Sequence, residues 1–270
     1  MIRPAFALFT AAAMAACSPA DVDKRRDPPP APVRAPTPAP TRPASTAPPP
    51  LLPATDVSGL PLILTRAKGA ATDVLAVMIT GDGGWAGLDL QLGGHLATHG
   101  VDVVGLSTPK YFWRTKTPGN TAADVARIAR HFLAAWNKSK VLLIGYSRGA
   151  EIVPFVANRL PSDVDARTVA VALLGPAHGT EFEFHVIDLV RDPLPDGLVP
   201  VMPEVSKLRG RPLLCVYGSD EPDTLCKDLD PTRARVVELK GGHHFGGHYK
   251  AIADFILEML DQGKRKQAGT

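Results

Sequence analysis

From residue 54 onward, short apolar runs alternate with longer amphipathic stretches. Continuous apolar runs of this length, rich in β-branched residues, are typical of strands covered on both faces. They lie at 74–79, 101–106, 141–144, 168–174, 212–217 and 234–239. Helices are predicted over 88–99, from a cap at Asn120 or Thr121 to about Trp136, and from His248 to Leu260. This alternation predicts an α/β fold, with a mostly parallel sheet and helices on both faces.

The strand at 141–144 ends in a motif that carries chemistry. It runs into Gly145-Tyr-Ser-Arg-Gly149, and a helical pattern follows at once. A G-x-S-x-G sequence between strand and helix is that of a nucleophile elbow, in which glycines flank the serine because a Cβ there would meet backbone. The helix N-terminus would favour negative charge near Ser147. Ser147 is therefore the predicted nucleophile.

Two later strands end in residues that could complete a catalytic triad with Ser147. The strand at 212–217 leads into Gly218-Ser-Asp-Glu-Pro-Asp223, and the last strand leads into Gly241-Gly-His-His-Phe245. Serine, acid and histidine follow one another in the order found in α/β hydrolases, each at the carboxyl end of a strand. The sequence thus predicts the α/β-hydrolase fold with a Ser-His-Asp triad.

The choice within each loop is less sharply determined. His243 follows the paired glycines directly and is assigned as the base, with His244 as the alternative. Asp223 is assigned as the acid, with Asp220 and Glu221 as alternatives in the same loop.

The strand at 74–79 ends in a glycine cluster, Thr80-Gly-Asp-Gly-Gly-Trp85. Such a loop directs backbone N–H groups at a ligand. In α/β hydrolases it supplies one donor to the oxyanion, and the N–H after the nucleophile supplies the other. We assign the first donor to Asp82 or Gly83 and the second to Arg148.

Aromatic residues border these loops. Trp85 and Tyr146 are assigned to substrate binding. Residues 111–117, Tyr-Phe-Trp-Arg-Thr-Lys-Thr, are aromatic and basic and follow the strand at 101–106, at the sheet edge where ligands bind. The long segment 175–210 is of the kind that covers a substrate.

The first 53 residues differ in composition from the rest. Residues 1–16 have a basic start and a short apolar run, as in a signal peptide. Met14-Ala-Ala-Cys17 resembles a bacterial lipobox, so Cys17 is predicted to be lipid-modified; ordinary cleavage, giving a soluble periplasmic protein, is the alternative. Residues 17–53 contain 13 of the 27 prolines and predict a disordered tether to a domain at 54–262. Residues 263–270 form a basic tail.

Charge and cysteine content narrow the possible functions. The net charge of +3 comes from residues 1–53, and the predicted domain is formally neutral, so nucleic-acid binding is not expected. His95 and His99 have metal-ligand spacing, but no carboxylate or cysteine completes a set, and neither metal nor cofactor is expected. If Cys17 carries lipid, Cys215 and Cys226 remain as a pair that could form a disulfide or stay as two thiols.

Several motifs together resemble one bacterial family. They are Gly81-Asp-Gly-Gly-Trp85, Gly145-Tyr-Ser-Arg-Gly-Ala150, Val153-Pro-Phe155, Asn158-Arg-Leu-Pro161, Tyr217-Gly218, Thr224-Leu-Cys226 and Gly241-Gly-His-His-Phe245. Over about residues 58–262 the chain resembles the VirJ/AcvB family of bacterial virulence proteins. The resemblance implies export, the α/β-hydrolase fold and Ser147 as nucleophile. It also implies the activity of the AcvB branch, hydrolysis of the aminoacyl ester of lysyl-phosphatidylglycerol.

The expected protein is thus a membrane-tethered periplasmic serine hydrolase that acts on a membrane lipid or another envelope ester. A lysyl group would need acidic partners, for which the candidates are Asp82, Glu151, Glu181 and Glu183. One alternative is a carboxylesterase or thioesterase with another envelope substrate. Another is a non-catalytic envelope protein that binds other proteins during secretion.

Overall fold

A computed structural model describes residues 48–53, 56–182 and 198–268. The predictions for the signal peptide, Cys17, most of the tether and Glu183 fall outside these ranges. The main sheet contains β1 (Leu62–Thr65), β2 (Val74–Ile79), β3 (Asp102–Leu106), β4 (Lys140–Tyr146), β5 (Thr168–Leu174), β8 (Leu213–Gly218) and β9 (Arg235–Leu239). A small antiparallel pair is formed by β6 (Gly179–Thr180) and β7 (Val199–Pro200).

The helices lie between these strands along the chain. They are α1 (Leu88–Thr98), α2 (Thr108–Tyr111), α3 (Pro118–Ala135), α4 (Arg148–Ala157), α5 (Ser162–Asp165), α6 (Met202–Val205) and α7 (Tyr249–Ala268). Two short 3₁₀ turns occur at Leu225–Asp228 and Phe245–Gly247. Within the described ranges, no helix has both the length and the apolar character needed to cross a membrane.

The seven strands follow the order β1-β3-β2-β4-β5-β8-β9. Every neighbouring pair is parallel except β1, which runs antiparallel to β3 at one edge. Parallel strands need crossover connections, and here helices supply most of them. The predicted fold class, a mostly parallel sheet of the α/β-hydrolase type, is confirmed.

Helices cover both faces of the sheet. Because side chains alternate along a strand, Val141 and Leu143 of β4 face one hydrophobic cluster and Leu142 and Ile144 face the other. The first cluster includes the buried faces of α3 and α4, and the second those of α1 and α7. A strand buried on both sides has no polar face, which explains the continuous apolar runs in the sequence.

Three boundaries differ from the sequence-based expectation. Thr117, rather than Asn120 or Thr121, caps α3, because its hydroxyl accepts a hydrogen bond from the Asn120 N–H at 3.1 Å and Pro118 occupies the first helical position. Helix α7 continues to Ala268, through most of the residues predicted as a tail. Residues 48–53, predicted as the end of the tether, already contact the domain, where Leu51 packs against the core.

Candidate active site

Ser147 lies at a strained turn between β4 and α4. Its φ of 54° is in the left-handed region, which is uncommon for a residue other than glycine. The Ser147 N–H donates to Leu174 O at 2.8 Å, and the Ser147 carbonyl accepts from Ala150 N at 2.8 Å. These bonds hold the strained backbone in place, as is common where a conformation serves function.

The two glycines of the elbow are needed for close backbone packing. A Cβ built on Gly145 would lie 2.2 Å from Gly149 O, and one on Gly149 would lie 2.0 Å from Ile79 O. No real Cβ approaches backbone so closely. The helix can therefore start directly above the ends of β2 and β4 only with glycine at both positions.

His243 contacts Ser147 across the carboxyl edge of the sheet. Its Nε2 lies 2.8 Å from Ser147 Oγ, within hydrogen-bond distance. Its Nδ1 lies 2.5 Å from Oε1 of Glu221. Glycine at position 175 leaves room for the ring, since a Cβ there would lie 2.9 Å from its Cε1. Of the two candidate histidines, His243 is the one placed at the serine.

The carboxylate at His243 belongs to Glu221, so the assignment of Asp223 is wrong. Glu221 is held in a tight turn in which its N–H donates to Gly218 O at 3.0 Å and its Oε2 accepts from Gly218 N at 2.6 Å. Asp223 points elsewhere, and its Oδ1 lies 2.5 Å from Nδ1 of His178. Asp220 accepts a hydrogen bond from the Ser219 hydroxyl at 2.9 Å. The turn thus directs the glutamate at the histidine and both aspartates away.

The environment of Glu221 favours its charged form. Burial alone would raise its pKa, but the hydrogen bonds from His243 and from the Gly218 N–H outweigh burial and lower the pKa of Glu221. An ionised carboxylate at Nδ1 keeps the proton on that nitrogen, so Nε2 is left to accept the proton of Ser147.

Tyr146 supports the histidine loop from behind. Its ring stacks on that of His243, with centroids 5.4 Å apart and planes at 28°. Its hydroxyl lies 2.9 Å from Nδ1 of His244 and 3.3 Å from the carbonyl of His243. The side chain is buried. The structure therefore assigns Tyr146 to positioning the histidine loop, which corrects its assignment to substrate binding.

Trp85 also has a structural position. A Cβ on Gly105 would lie 2.3 Å from its ring, and one on Gly93 would lie 2.9 Å away. The indole thus fills the space that two glycines leave between β3 and α1. This packing gives the partly exposed Trp85 a structural role, and its assignment to substrate binding stays a prediction.

The glycine loop after β2 runs beside the nucleophile. Gly84 N donates to Gly81 O at 3.0 Å, which makes Asp82 and Gly83 the central residues of a turn. A Cβ on Gly81 would lie 3.1 Å from Ser147 Cβ. The loop is therefore close enough to Ser147 for a backbone N–H of Asp82 or Gly83 to serve the oxyanion.

The side chain of Arg148 connects this loop to a second segment. Its guanidinium is buried, with Nη1 3.0 Å from Asp82 Oδ1 and Nη2 2.8 Å from Glu181 Oε1. The Arg148 N–H is at the first residue of α4, where backbone donors point out of the helix start. One residue thus contributes an N–H beside Ser147 and a side chain that fixes the loop opposite. No sequence motif predicted this second role.

Three of the four acidic residues considered for a lysyl group lie in the described ranges. Asp82 and Glu181 share Arg148, and their side chains are 40% and 31% exposed. Glu151, one helical turn after Ser147, is half-buried. Burial raises its pKa to about 7, although hydrogen bonds from Thr180 and the Ala177 N–H oppose the rise. Asp82 and Glu181 are therefore the better placed of the three to meet a cation from solvent.

A disulfide and a histidine clamp hold the loop that carries Glu221. Cys215 in β8 is bonded to Cys226 in the following 3₁₀ turn, with Cα atoms 5.6 Å apart. His178 lies between Asp223 and Asp228, with Nε2 2.7 Å from the Asp228 carboxylate. The hydrogen bond to Asp228 is the largest of the effects that raise the pKa of His178. The sequence analysis considered a disulfide between the two cysteines, but no sequence pattern predicted the contacts of His178.

The two histidines with metal-ligand spacing interact with each other. His99 Nδ1 lies 2.9 Å from the carbonyl oxygen of His95, one turn earlier in α1. Across the described part of the chain, no group of three or more His, Cys, Asp or Glu side chains is arranged to hold a metal ion.

Comparison with known proteins bears on family and fold. The family model described as bacterial virulence protein (VirJ) matches residues 73–264, which confirms the resemblance drawn from the sequence motifs. No curated protein sequence matches the chain significantly.

Solved structures of other proteins share the fold. An alpha-beta serine hydrolase homologue from Coxiella burnetii superposes with a TM-score of 0.51 at 16% identity, over 73% of this chain and 89% of that chain. Est1E from Butyrivibrio proteoclasticus superposes with a TM-score of 0.52 at 16% identity, over 76% of this chain and 97% of that chain. At such identities the likeness establishes the fold, and function must be argued from the site.

Proposed function

This chain belongs to the VirJ family of bacterial virulence proteins, and we propose that it is a serine hydrolase of carboxylic esters acting through Ser147, His243 and Glu221. The observation that carries the proposal is the continuous chain of contacts from Ser147 Oγ to His243 Nε2 at 2.8 Å and from His243 Nδ1 to Glu221 at 2.5 Å. A serine hydroxyl is a weak nucleophile until a base accepts its proton, and this arrangement supplies that base.

The first half of the reaction forms an acyl-enzyme. Ser147 Oγ attacks the ester carbonyl while His243 Nε2 takes the hydroxyl proton, and the ionised Glu221 stabilises the imidazolium. The carbonyl oxygen becomes negative and is met by the N–H of Arg148 and by that of Asp82 or Gly83. When the tetrahedral intermediate collapses, the alcohol leaves with the proton from His243.

The second half regenerates the enzyme. Water gives a proton to His243 and attacks the acyl-enzyme, and a second tetrahedral intermediate expels Ser147, which recovers its proton from the imidazolium. The products are the free acid and the alcohol. The chain's own residues account for every proton transfer.

For the substrate, we propose the aminoacyl ester of lysyl-phosphatidylglycerol. The family resemblance supports this choice, and so does the charge around Ser147. Asp82 and Glu181 each contact Arg148, and both carboxylates remain partly exposed beside the loop next to Ser147. A lysyl group brings two amines, and carboxylates carry the charge that such amines require.

We further propose that the protein works in the periplasm, tethered by lipid at Cys17. This rests on the lipobox-like sequence Met14-Ala-Ala-Cys17 and the proline-rich segment after it. A disulfide between Cys215 and Cys226 fits an oxidising compartment.

The test is release of free lysine from lysyl-phosphatidylglycerol by the full-length protein and its Ser147→Ala variant. Loss of the nucleophile should lower the rate by at least about 10³-fold. Ser206→Ala, at an exposed serine away from the sheet edge, is the matched control and should keep full activity.

Labelling with a fluorophosphonate separates the parts of the proposal. Labelling at Ser147 without lysine release would discard the lipid substrate and favour a carboxylesterase or thioesterase acting on another ester. No labelling of a folded protein would overturn the hydrolase and favour a non-catalytic binding protein.

A further inference from the structure

A basic and aromatic surface lies beside the proposed active site and is not used by the reaction. We call it the Trp113 rim and define it as residues Lys110–Lys116, which run from α2 toward α3. It holds Lys110, Arg114 and Lys116, and no Asp or Glu occurs between Ser107 and Ala123. The segment is aromatic as well as basic, and the proposed reaction uses neither property.

The rim shares an edge of the sheet with Ser147. It follows the carboxyl end of β3, and β3 is separated from β4 by β2 alone. Thr108 N donates to Thr80 Oγ1 at 3.0 Å, and a Cβ on Gly84 would lie 3.4 Å from Pro109. The start of the rim is therefore joined to the glycine loop that lies beside Ser147, and whatever binds the rim is brought to the reacting edge.

Buried neighbours fix the rim and leave its centre exposed. Tyr111 and Phe112 are buried in the core, and the Tyr111 hydroxyl donates to Asp124 at 2.6 Å. Lys116 N donates to Phe182 O at 2.9 Å. Between these anchors the Trp113 side chain is 64% exposed. The indole is thus presented to the surroundings on a backbone held at both ends.

A second exposed apolar side chain lies at the same edge. Leu90, in the first turn of α1, is 58% exposed, and it and Trp113 are the two most exposed large hydrophobic side chains in the described ranges. The first turn of α1 follows the glycine loop that Pro109 contacts. Two exposed apolar side chains therefore lie on segments that adjoin the glycine loop.

We infer that the Trp113 rim docks on the surface of an anionic phospholipid bilayer and so brings Ser147 to the lipid headgroups. Tryptophan side chains favour the membrane interface, because the ring is apolar and its N–H is polar. Lysine and arginine near an anionic surface are attracted to the lipid phosphates. The acid-free stretch around Trp113 is complementary in charge to such a surface. The inference rests on the proposed lipid substrate for its biological meaning, but binding can be measured without catalysis.

The test uses the full-length Cys17→Ser, Ser147→Ala protein, in which neither a lipid anchor nor turnover contributes. Sedimentation is measured with phosphatidylcholine vesicles that contain or lack phosphatidylglycerol. We expect binding only to the anionic vesicles, weakening with salt because the attraction is screened beyond about 8 Å at physiological ionic strength. Lys110→Gln/Arg114→Gln should lower the partition coefficient by about 25-fold, at about five-fold per cation.

Two further variants make the result specific. Trp113→Ser should weaken binding at unchanged charge, and the tryptophan emission that shifts with vesicles in the parent should no longer shift. Lys68→Gln/Arg209→Gln removes the same charge from exposed positions at the opposite edge of the sheet and should bind like the parent. If the two double variants lost vesicle binding equally, net charge alone would explain the effect and the inference would be overturned. Unaltered binding of the rim variants would overturn it as well. Because every protein here lacks Ser147, failure of the proposed hydrolysis would leave these outcomes unchanged.

Discussion

Both carboxylate oxygens of Glu221 are engaged, one by His243 and the other by the N–H of Gly218. Two contacts fix the plane of the carboxylate, and that plane fixes the imidazole ring. Because the second contact comes from the backbone at the end of β8, the acid is held by the sheet itself. Asp223, two residues later, is 61% exposed and serves His178 instead.

This difference predicts opposite effects for two conservative amide substitutions. Glu221→Gln keeps the shape of the side chain but removes the charge that holds His243 in the productive tautomer. We expect kcat to fall by about 10³- to 10⁴-fold with little change in KM. The measurement is steady-state hydrolysis of a soluble chromogenic ester.

Asp223→Asn is the matched control for this experiment, since it makes the same chemical change in the same loop. It should retain kcat within a few-fold. A strong loss for Asp223→Asn together with near-normal turnover for Glu221→Gln would show that the acid had been assigned to the wrong residue.

The nucleophile and base could be predicted from the sequence, whereas the acid could not. Ser147 lies between Gly145 and Gly149, and His243 follows two glycines of which the first is Gly241. A Cβ on any of these three glycines would meet backbone, and a sequence motif records that requirement. The acid loop offers Asp220, Glu221 and Asp223 within one turn. Which of them reaches the histidine depends on the hydrogen bonds of Gly218, which residue types do not encode.

Among the elements, buried strands were predicted most closely. The ends of β2 and β5 lie where the sequence predicts them, because the apolar run of a strand that is covered on both faces stops where the burial stops. The edge strand β1 was missed, since it is short and only half-buried, and an edge strand has no requirement for a continuous apolar run. The start of α3 was misplaced because Asn120 and Thr121 are also good capping residues, and the sequence does not show which of several caps is used.

The connection between β8 and the following 3₁₀ turn depends on the Cys215–Cys226 bond. The bond closes a loop over a separation of 11 residues that includes Glu221. Removing it frees the unfolded chain, which should lower the free energy of unfolding by about 3 kcal/mol for a loop of this size. The loop should also hold Glu221 less firmly, so kcat should fall in parallel.

Denaturant unfolding of the parent and of Cys215→Ala/Cys226→Ala, each with and without reductant, checks this expectation. The parent should lose stability in reductant, and the double variant should be insensitive to it. Equal midpoints for the oxidised parent and the double variant would contradict a stabilising role for the bond.

In the whole molecule, the chain reaches the domain at the edge of the sheet opposite Ser147. Leu52 N donates to Asp163 at 3.2 Å, and Arg167 donates to Pro49 O at 2.6 Å. Asp163 lies in α5 and Arg167 lies just after it, directly before the amino end of β5. The ion pair of Asp163 with Arg130 therefore joins three parts of the fold, α3, α5 and the incoming chain, far from the reacting edge.

This ion pair predicts how stability depends on pH. The hydrogen bonds from Arg130, at 2.7 and 2.8 Å, lower the pKa of Asp163 from 3.8 to about 2. A carboxyl with a lowered pKa stabilises the fold above its unfolded pKa, so the contribution is fully present above about pH 4 and is lost as the pH falls toward 2. The shift corresponds to about 2 kcal/mol.

Asp163→Asn should lower the free energy of unfolding by about that much at neutral pH. The difference from the parent should shrink between pH 4 and 2 in denaturant unfolding. Asp254→Asn, which removes a surface ion pair with Lys250, should change stability by less than about 0.5 kcal/mol. A constant difference between the Asp163 variant and the parent across this range would mean that the ion pair does not set the acid sensitivity of the fold.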